Sequence, residues 1–283
     1  SVGVPDIPYM GYINGDDDED EFPTPPRKTA SVRLHDEAWR LRNQGRYEEA
    51  LDLINEALEH DDRDFDNWNV KAIILEDMLK YDDAIECYDE ALRLNPNAIN
   101  VKNNKAYSLS RLAEIQKYTD RDWQKALGLI NDALKLVSDD DGRRYTYLHI
   151  KGNILQELGR KVDAWACYLL ADKMYDELNE LEGQRKIIES SKDTLINITG
   201  TNFYRQAPSL LKGIVVELVK ESENIHDRDA IRVELNGETV GYVANSSYTL
   251  VDGVKSATQI KDIVDDDQKA EIMFRYAQDY IIA

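Results

Sequence analysis

The chain has 283 residues and a formal net charge of −20, and its length allows two domains with cores of their own. Acid is spread along it: residues 1–30 hold two Lys/Arg against seven Asp/Glu, and residues 198–283 hold nine against fourteen. That balance argues against a general DNA or RNA binder, which needs Lys and Arg to displace counterions, and no apolar run approaches the roughly 18 residues of a membrane span.

No basic start followed by an apolar core marks a signal peptide, and Cys87 and Cys167 share no metal-ligand spacing. A cytoplasmic protein with reduced thiols and no membrane contact is the expectation. Residues 1–30, SVGVPDIPYMGYINGDDDEDEFPTPPRKTA, have neither helical nor strand period. They hold five of the seven prolines and an unbroken run of six acids, Asp16 to Glu21. This composition reads as an acidic, proline-rich tail, with the acids solvated rather than gathered on a metal. Its apolar part, VPDIPYMGYI, has the character of a segment that lies extended in a groove or adds a strand to a neighbour.

A repeat begins after the tail. GRYEEALDLINEALEHD (45–61) and LKYDDAIECYDEALRLNP (79–96) place Tyr47 and Tyr81, Ala50 and Ala84, Ala57 and Ala91, and Leu58 and Leu92 thirty-four residues apart. Ala38, Ala72 and Ala106 keep the same offset. Alanine at these points lets two antiparallel helices approach closely, while tyrosine and leucine fill the space beside them. The pattern resembles the tetratricopeptide repeat family, helical hairpins that stack into a right-handed superhelix. Repeats are expected at about 31–64, 65–98, 99–139 and 140–173, with Pro96 closing the second and Gly45 and Gly159 in the turns within hairpins. In the third, the alanine expected after Ala106 is displaced by eight residues to Ala126, and both helices are expected to lengthen by about a turn. Residues 174–195 are expected to form a capping helix whose polar outer face ends the stack.

In this family the first helix of each hairpin lines a concave groove that holds a protein or peptide segment. The matching positions are His35, Trp39, Arg42, Asn69, Ile73, Asn103, Tyr107, Arg111, His149 and Asn153. The family's carboxylate-clamp version needs Lys and Asn where His35 and Trp39 stand, so that specialisation is not expected.

After Thr194 the period changes to two. INITGTNFY, KGIVVELVK, AIRVEL, ETVGYVA, AEIMFRY and DYIIA read as six short strands of a small barrel or strongly curled sheet, with a short helix within 252–267. Asn236-Gly237 predicts a two-residue turn with positive φ at both centres. Counting from it, Leu235 faces Glu238, Val233 faces Val240 and Ile231 faces Tyr242, with Ile231, Val233, Val240 and Tyr242 pointing inward.

The order Gly200, Phe203-Tyr204, Gly213 with VVELVKE, Asn224-Ile-His-Asp227, Ala230-Ile231-Arg-Val233 and Gly241-Tyr242-Val243 resembles the HIRAN domain over about residues 196–250. The resemblance implies a small β module that captures the 3′ end of single-stranded DNA. Phe203 and Tyr204 would then be stacking candidates and Asp227 would accept the terminal hydroxyl, with Tyr242 in the same pocket. His226 stands where a tyrosine is usual, Asn202 where an arginine holds phosphate, and Asp229 where asparagine is common. Each departure removes stacking area or positive charge.

The stretch His226-Asp-Arg-Asp229 also suits a metal or acid/base site, but ligands four apart in one turn rarely complete a shell, and no nucleophile–base pair or phosphate-binding glycine loop accompanies it. Asn224 and Asp227 fixing a turn, with His226 and Arg228 at the surface, is the simpler reading. The expected architecture is a multidomain α + β chain: a tail at 1–30, a tetratricopeptide solenoid at 31–195 and a HIRAN-like β module at 196–283. The expected function is that of a non-enzymatic adaptor without cofactor or metal. The alternative is a sensor of single-stranded 3′ ends that recruits partners through its repeats.

Overall fold

A computed structural model describes residues 29–119, 121–265, 267–278 and 280–283. The expectations for the tail lie outside the described residues. Helices come first: α1 (Ala30–Asn43), α2 (Tyr47–His60), α3 (Phe65–Asp77), α4 (Tyr81–Leu94), α5 (Ile99–Thr119), α6 (Trp123–Leu136), α7 (Arg143–Glu157), α8 (Lys161–Ala171) and α9 (Tyr175–Ser190). Their starts follow from the sequence. Thr29, Asp64 and Asp122 turn side-chain oxygens onto the free N–H groups of Val32, Asp66 and Lys125 at the first turns of α1, α3 and α6.

The repeated alanines do what their spacing implied. Ala38, Ala50, Ala57, Ala72, Ala84, Ala91 and Ala106 are wholly buried where helices meet. The apolar clusters are staggered along the chain. Ala38 and Ala50 pack with Val70 and Ile74 of the next hairpin, and Ala72 and Ala84 pack with Val101 of the one after. Each hairpin thus covers an apolar face that its neighbour leaves open, which is the logic of a solenoid. Burying an isoleucine such as Ile54 in this stack contributes about 2 kcal/mol.

The third hairpin departs from expectation. α5 is 21 residues long against 13 for α3, whereas α6 has an ordinary 14. The eight extra residues are absorbed by the first helix alone, about two turns of it, because Leu112 and Ala113 bury themselves and extend its packed face.

Strands follow: β1 (Asn197–Thr199), β2 (Val215–Lys220), β3 (Ile231–Leu235), β4 (Glu238–Val243), β5 (Lys269–Glu271), β6 (Phe274–Tyr276) and β7 (Tyr280–Ile282), with a short α10 (Ala257–Ile260) between β4 and β5. They form one antiparallel sheet in the order β5-β2-β3-β4-β1-β7-β6. The expected strand AEIMFRY is two strands at opposite edges. Ile272 exchanges backbone hydrogen bonds with Gly213 and Ile214 beside β2, and the next residue, Met273, donates to Ile282 of β7. One continuous segment therefore serves both edges and curls the sheet round its core of Ile198, Leu210, Val216, Ile231, Val233 and Ile281. The expected strand through Phe203 ends at Thr199, and Thr201–Phe203 form a single 3-10 turn.

The Asn236-Gly237 turn forms with φ of 54° and 78°, and Leu235 faces Glu238 as counted. Beyond Glu234 the register slips by one residue: Val233 pairs with Gly241 and Arg232 with Tyr242. This bulge corrects the expected pairs, Val233 with Val240 and Ile231 with Tyr242, and moves the Tyr242 side chain off the inward face. Gly241 permits it: a Cβ there would lie 2.7 Å from Ile198 Cγ2 and 2.8 Å from the Thr199 carbonyl oxygen.

The end of the solenoid is also corrected. α9 stops at Ser190, and its apolar stripe of Leu178, Leu181 and Ile188 joins Leu169 of α8, Val251, Val254, Tyr276, Tyr280 and Ile282 in one cluster. The β module, not a polar helix face, covers the last hairpin. Arg185 fastens the junction, pairing with Asp163 of α8 at 2.9 Å and lying beside Tyr276 of β6.

Candidate functional site

First helices touch along the stack, α1 with α3, α3 with α5 and α5 with α7, more closely than second helices touch each other. The first-helix side is therefore the inside of the curve, and it carries the expected groove residues. Their surroundings divide them into three groups.

Several are committed to the stack. Asn69 is buried and its Oδ1 accepts from Asn104 of α5 at 3.2 Å. His35 Nδ1 is hydrogen bonded to Asn67 Oδ1 of α3 at 2.9 Å, and Asn67 in turn donates to Ser31. Ile73 and Asn103 are half-buried. Behind them lies a carboxylate that the sequence did not single out. Glu76 of α3 accepts from Ser108 of α5 at 2.5 Å and from the Tyr88 hydroxyl at 3.3 Å. Burial pushes its carboxyl above the usual range despite those hydrogen bonds.

A second group stays open. Trp39 and Tyr107 keep 37% and 43% of their surface, which is large for aromatic side chains on a packed helix. The Arg42 guanidinium lies 4.9 Å from the Trp39 ring centre and is held by Asp77 of α3 at 2.5 Å. Arg111 is exposed, pairs with Glu114 at 2.6 Å and lies near Tyr81.

The third group belongs to the last hairpin. His149 sits between two rings, 4.4 Å from Tyr145 and 5.3 Å from Tyr168, and its Nε2 is 3.5 Å from Asp172 Oδ1 without a hydrogen bond. The Tyr168 hydroxyl donates to Asn153 Oδ1 at 2.8 Å, and the ring covers Gly152 so closely that a Cβ there would fall 2.3 Å from it. The matching positions of the other hairpins, Ala38, Ala72 and Ala106, are likewise small and wholly buried.

In the β module the stretch 224–229 is a fully bonded turn. Asn224 Oδ1 accepts from the backbone N–H groups of His226 and Asp227 at 2.9 and 3.1 Å. Asp227 spends one carboxylate oxygen on the Asp229 N–H at 2.9 Å and the other on Asn245 at 2.8 Å. Asp229 binds Lys261 and Thr258, at 2.9 and 2.8 Å, and those two bonds hold its carboxyl below the usual value. His226 and Arg228 are exposed. Asn202 is exposed and Tyr204 half-buried, while Phe203 keeps 88% of its surface. Among the described residues no ring contact or hydrogen bond joins Phe203 or Tyr204 to His226 or Asp227. Tyr242 instead faces Glu221, whose carboxylate pairs with Arg232, and Arg232 also bonds Glu234 at 2.7 Å. Among the described residues no three His, Cys, Asp or Glu side chains gather at a metal-sized site, and no helix is long and apolar enough to cross a membrane.

The tetratricopeptide repeat family matches residues 66–98, so the chain contains this repeat at its second hairpin. No curated protein matches. Among solved structures, the MamA RS-1 ArsTM double mutant is 18% identical, covers 56% of this chain and 86% of its own, and has a TM-score of 0.38. BtubC from P. vanneervenii is 18% identical over 53% of this chain and 64% of its own, with a TM-score of 0.38. The TPR2B domain of yeast Sti1, solved in complex with pHsp70, is 14% identical over 52% of this chain and 99% of its own, with a TM-score of 0.33. At these scores the likenesses carry no argument about ligands.

Proposed function

We propose that the protein is a non-enzymatic, cytoplasmic adaptor, with residues 1–30 as a tail, 31–195 as the solenoid and 196–283 as a HIRAN-like β module. The solenoid's inner face binds a protein segment. The observation that carries this reading is the pair of half-open aromatic rings, Trp39 and Tyr107, on the first helices of the first and third hairpins. Large, rigid rings left in water on a curved surface are the usual anchors of a bound chain. The β module shares the cluster of Leu169, Leu181 and Tyr276 with the solenoid end, so it presents a second surface at a set orientation rather than on a free tether. A pull-down with the Trp39→Ala, Tyr107→Ala double variant tests the groove. Loss of the partners that the parent protein recovers supports it, and recovery of the same set sinks it.

A second reading, capture of a single-stranded 3′ end by the β module, follows from the HIRAN resemblance and has the exposed Phe203 ring in its favour. Against it stand the acidic surroundings and the two hydrogen bonds already made by Asp227. Titration with fluorescent oligonucleotides bearing a 3′-hydroxyl or a 3′-phosphate separates the readings. Binding that needs the free hydroxyl and Phe203 supports end capture; no binding of either oligonucleotide at low salt removes it.

A further inference from the structure

Exposed apolar surface is unevenly placed on the four hairpins. Among the described residues the second helices, α2, α4, α6 and α8, carry no exposed large apolar side chain. The first helices carry Val32, Trp39, Ile99, Tyr107, Tyr118 and Tyr145. Val32, Ile99 and Tyr145 stand in the first turns of α1, α5 and α7, along one edge of the inner face. Trp39 and Tyr107 stand about two turns further on. The polar groups beside these rings are already engaged: Arg42 pairs with Asp77, Arg111 with Glu114, and Asn69 holds Asn104. What the inner face lacks is therefore apolar contact rather than a charge partner, and such surface on one side of a molecule marks a docking site.

The chain itself supplies a segment of that character. Residues 4–13, VPDIPYMGYI, hold six apolar or aromatic side chains and two prolines, and proline favours extended backbone at itself and at the residue before it. Ten extended residues span about 33 Å. The three steps from α1 through α3 and α5 to α7, at the usual spacing of packed helices, come to about 30 Å. Residues 14–28 connect this segment to Thr29, the N-cap of α1, at the same edge of the inner face. That connection can reach up to about 50 Å, enough to bring the segment back over the groove in either direction. Its six consecutive acids, Asp16 to Glu21, suit a solvated spacer. Tethering of this length gives an effective concentration of about a millimolar, which favours the chain's own tail over that of a second copy.

We propose that residues 4–13 lie along the inner face of their own solenoid and occupy the groove until a partner displaces them. The inference rests on the groove reading and names the groove's resident occupant. An external segment then competes with a tethered one, so the tail sets how tightly a partner must bind.

Photo-cross-linking of the full chain tests it. With Tyr9 or Tyr12 replaced by benzoylphenylalanine, an equal mixture of isotopically light and heavy protein is irradiated and digested for mass spectrometry. The probe should join α1, α3, α5 or α7 in peptides of one isotope only. The Trp39→Ala, Tyr107→Ala double variant, checked by circular dichroism, should lower that yield about fivefold. Cross-links elsewhere, or none, overturn the inference, and peptides of mixed isotope overturn it in favour of a second copy's tail. A labelled peptide of residues 1–15 gives an independent measure by fluorescence anisotropy. It should bind the full-length Ile7→Ser, Tyr9→Ser, Tyr12→Ser variant, whose groove is vacated, about tenfold more tightly than the parent chain. Equal affinity for the two chains, or binding to neither, overturns the inference. If it falls in this way while recovery of partners still depends on Trp39 and Tyr107, the groove reading stands; if that recovery is independent of both rings, the two fall together.

Discussion

Gly45 and Leu79, thirty-four residues apart, occupy the same left-handed position in successive hairpin turns, with φ of 76° and 61°. The hydrogen bonds around them are identical in pattern. Gly45 N donates to Arg42 O and Arg46 N to Leu41 O; Leu79 N donates to Glu76 O and Lys80 N to Leu75 O. Only the first position carries the residue that the backbone favours. The Leu79 side chain is largely exposed, so its Cβ strain is not offset by packing. Leu79→Gly is expected to stabilise the fold by about 0.5–1 kcal/mol after allowing for the greater freedom of glycine in the unfolded chain. Thermal melts should show a rise of about 2 °C. A fall would mean that the leucine side chain makes contacts worth more than its backbone strain.

Glu76 should make stability depend on pH. Its folded carboxyl is raised above the ordinary value by burial, so the folded state prefers the protonated form. Stability is then highest below the ordinary carboxylate range and declines as pH rises through the folded value. Glu76→Gln keeps an acceptor for Ser108 and Tyr88 without the charge. Urea midpoints should favour the variant at pH 7 and converge with the parent near pH 4. A gap that widens on acidification would reverse the sign and refute the account.

Asp227 is expected to act through its turn. Asp227→Ala leaves the Asp229 N–H and the Asn245 amide without their acceptor, at a cost of about 1–2 kcal/mol. Faster hydrogen exchange at the Asp229 amide, measured by NMR, is the local signature. The same variant enters the oligonucleotide titration, where a loss of affinity counts for end capture only if Asp229 remains protected.

The junction between α9 and the sheet predicts joint unfolding. Leu181→Ala opens a cavity beside Ile188, Tyr276 and Tyr280 and should cost about 2–3 kcal/mol. Helical ellipticity and the fluorescence of Trp165, which packs on the same cluster, should shift together. Helices that melt unchanged while the sheet melts early would show that the module does not brace the solenoid.

Cys87 and Cys167 are both free and buried, and burial pushes the Cys87 thiol up to about 11. Neither should react with a disulfide reagent at pH 8 in the folded protein, and both should react in urea. Rapid labelling without denaturant would contradict their placement.

Much of this was legible in the chain because it is local or repeats. Alanines at a fixed interval specify close helix pairs, Asn236-Gly237 specifies its turn, and Asn224 and Asp227 specify hydrogen bonds to residues two or three positions on. Periodicity located the first-helix residues too, but not which of them remain open. Nothing in the spacing distinguishes Asn69, consumed by Asn104, from Trp39, left half in water.

Only the tertiary structure decided the bulge that turns Tyr242 outward, the segment around Ile272 that joins both sheet edges, and the covering of Leu181 by the β module. Each depends on residues far apart in sequence meeting across a gap whose size no local pattern encodes: a missing Cβ at Gly241, a sheet that must close, and an apolar stripe with no further hairpin to meet it. The sequence by itself determined the repeating unit and the turns, since their hydrogen bonds close within a few residues. How the repeats end, and which of their aromatic rings stay open, was decided by packing between elements.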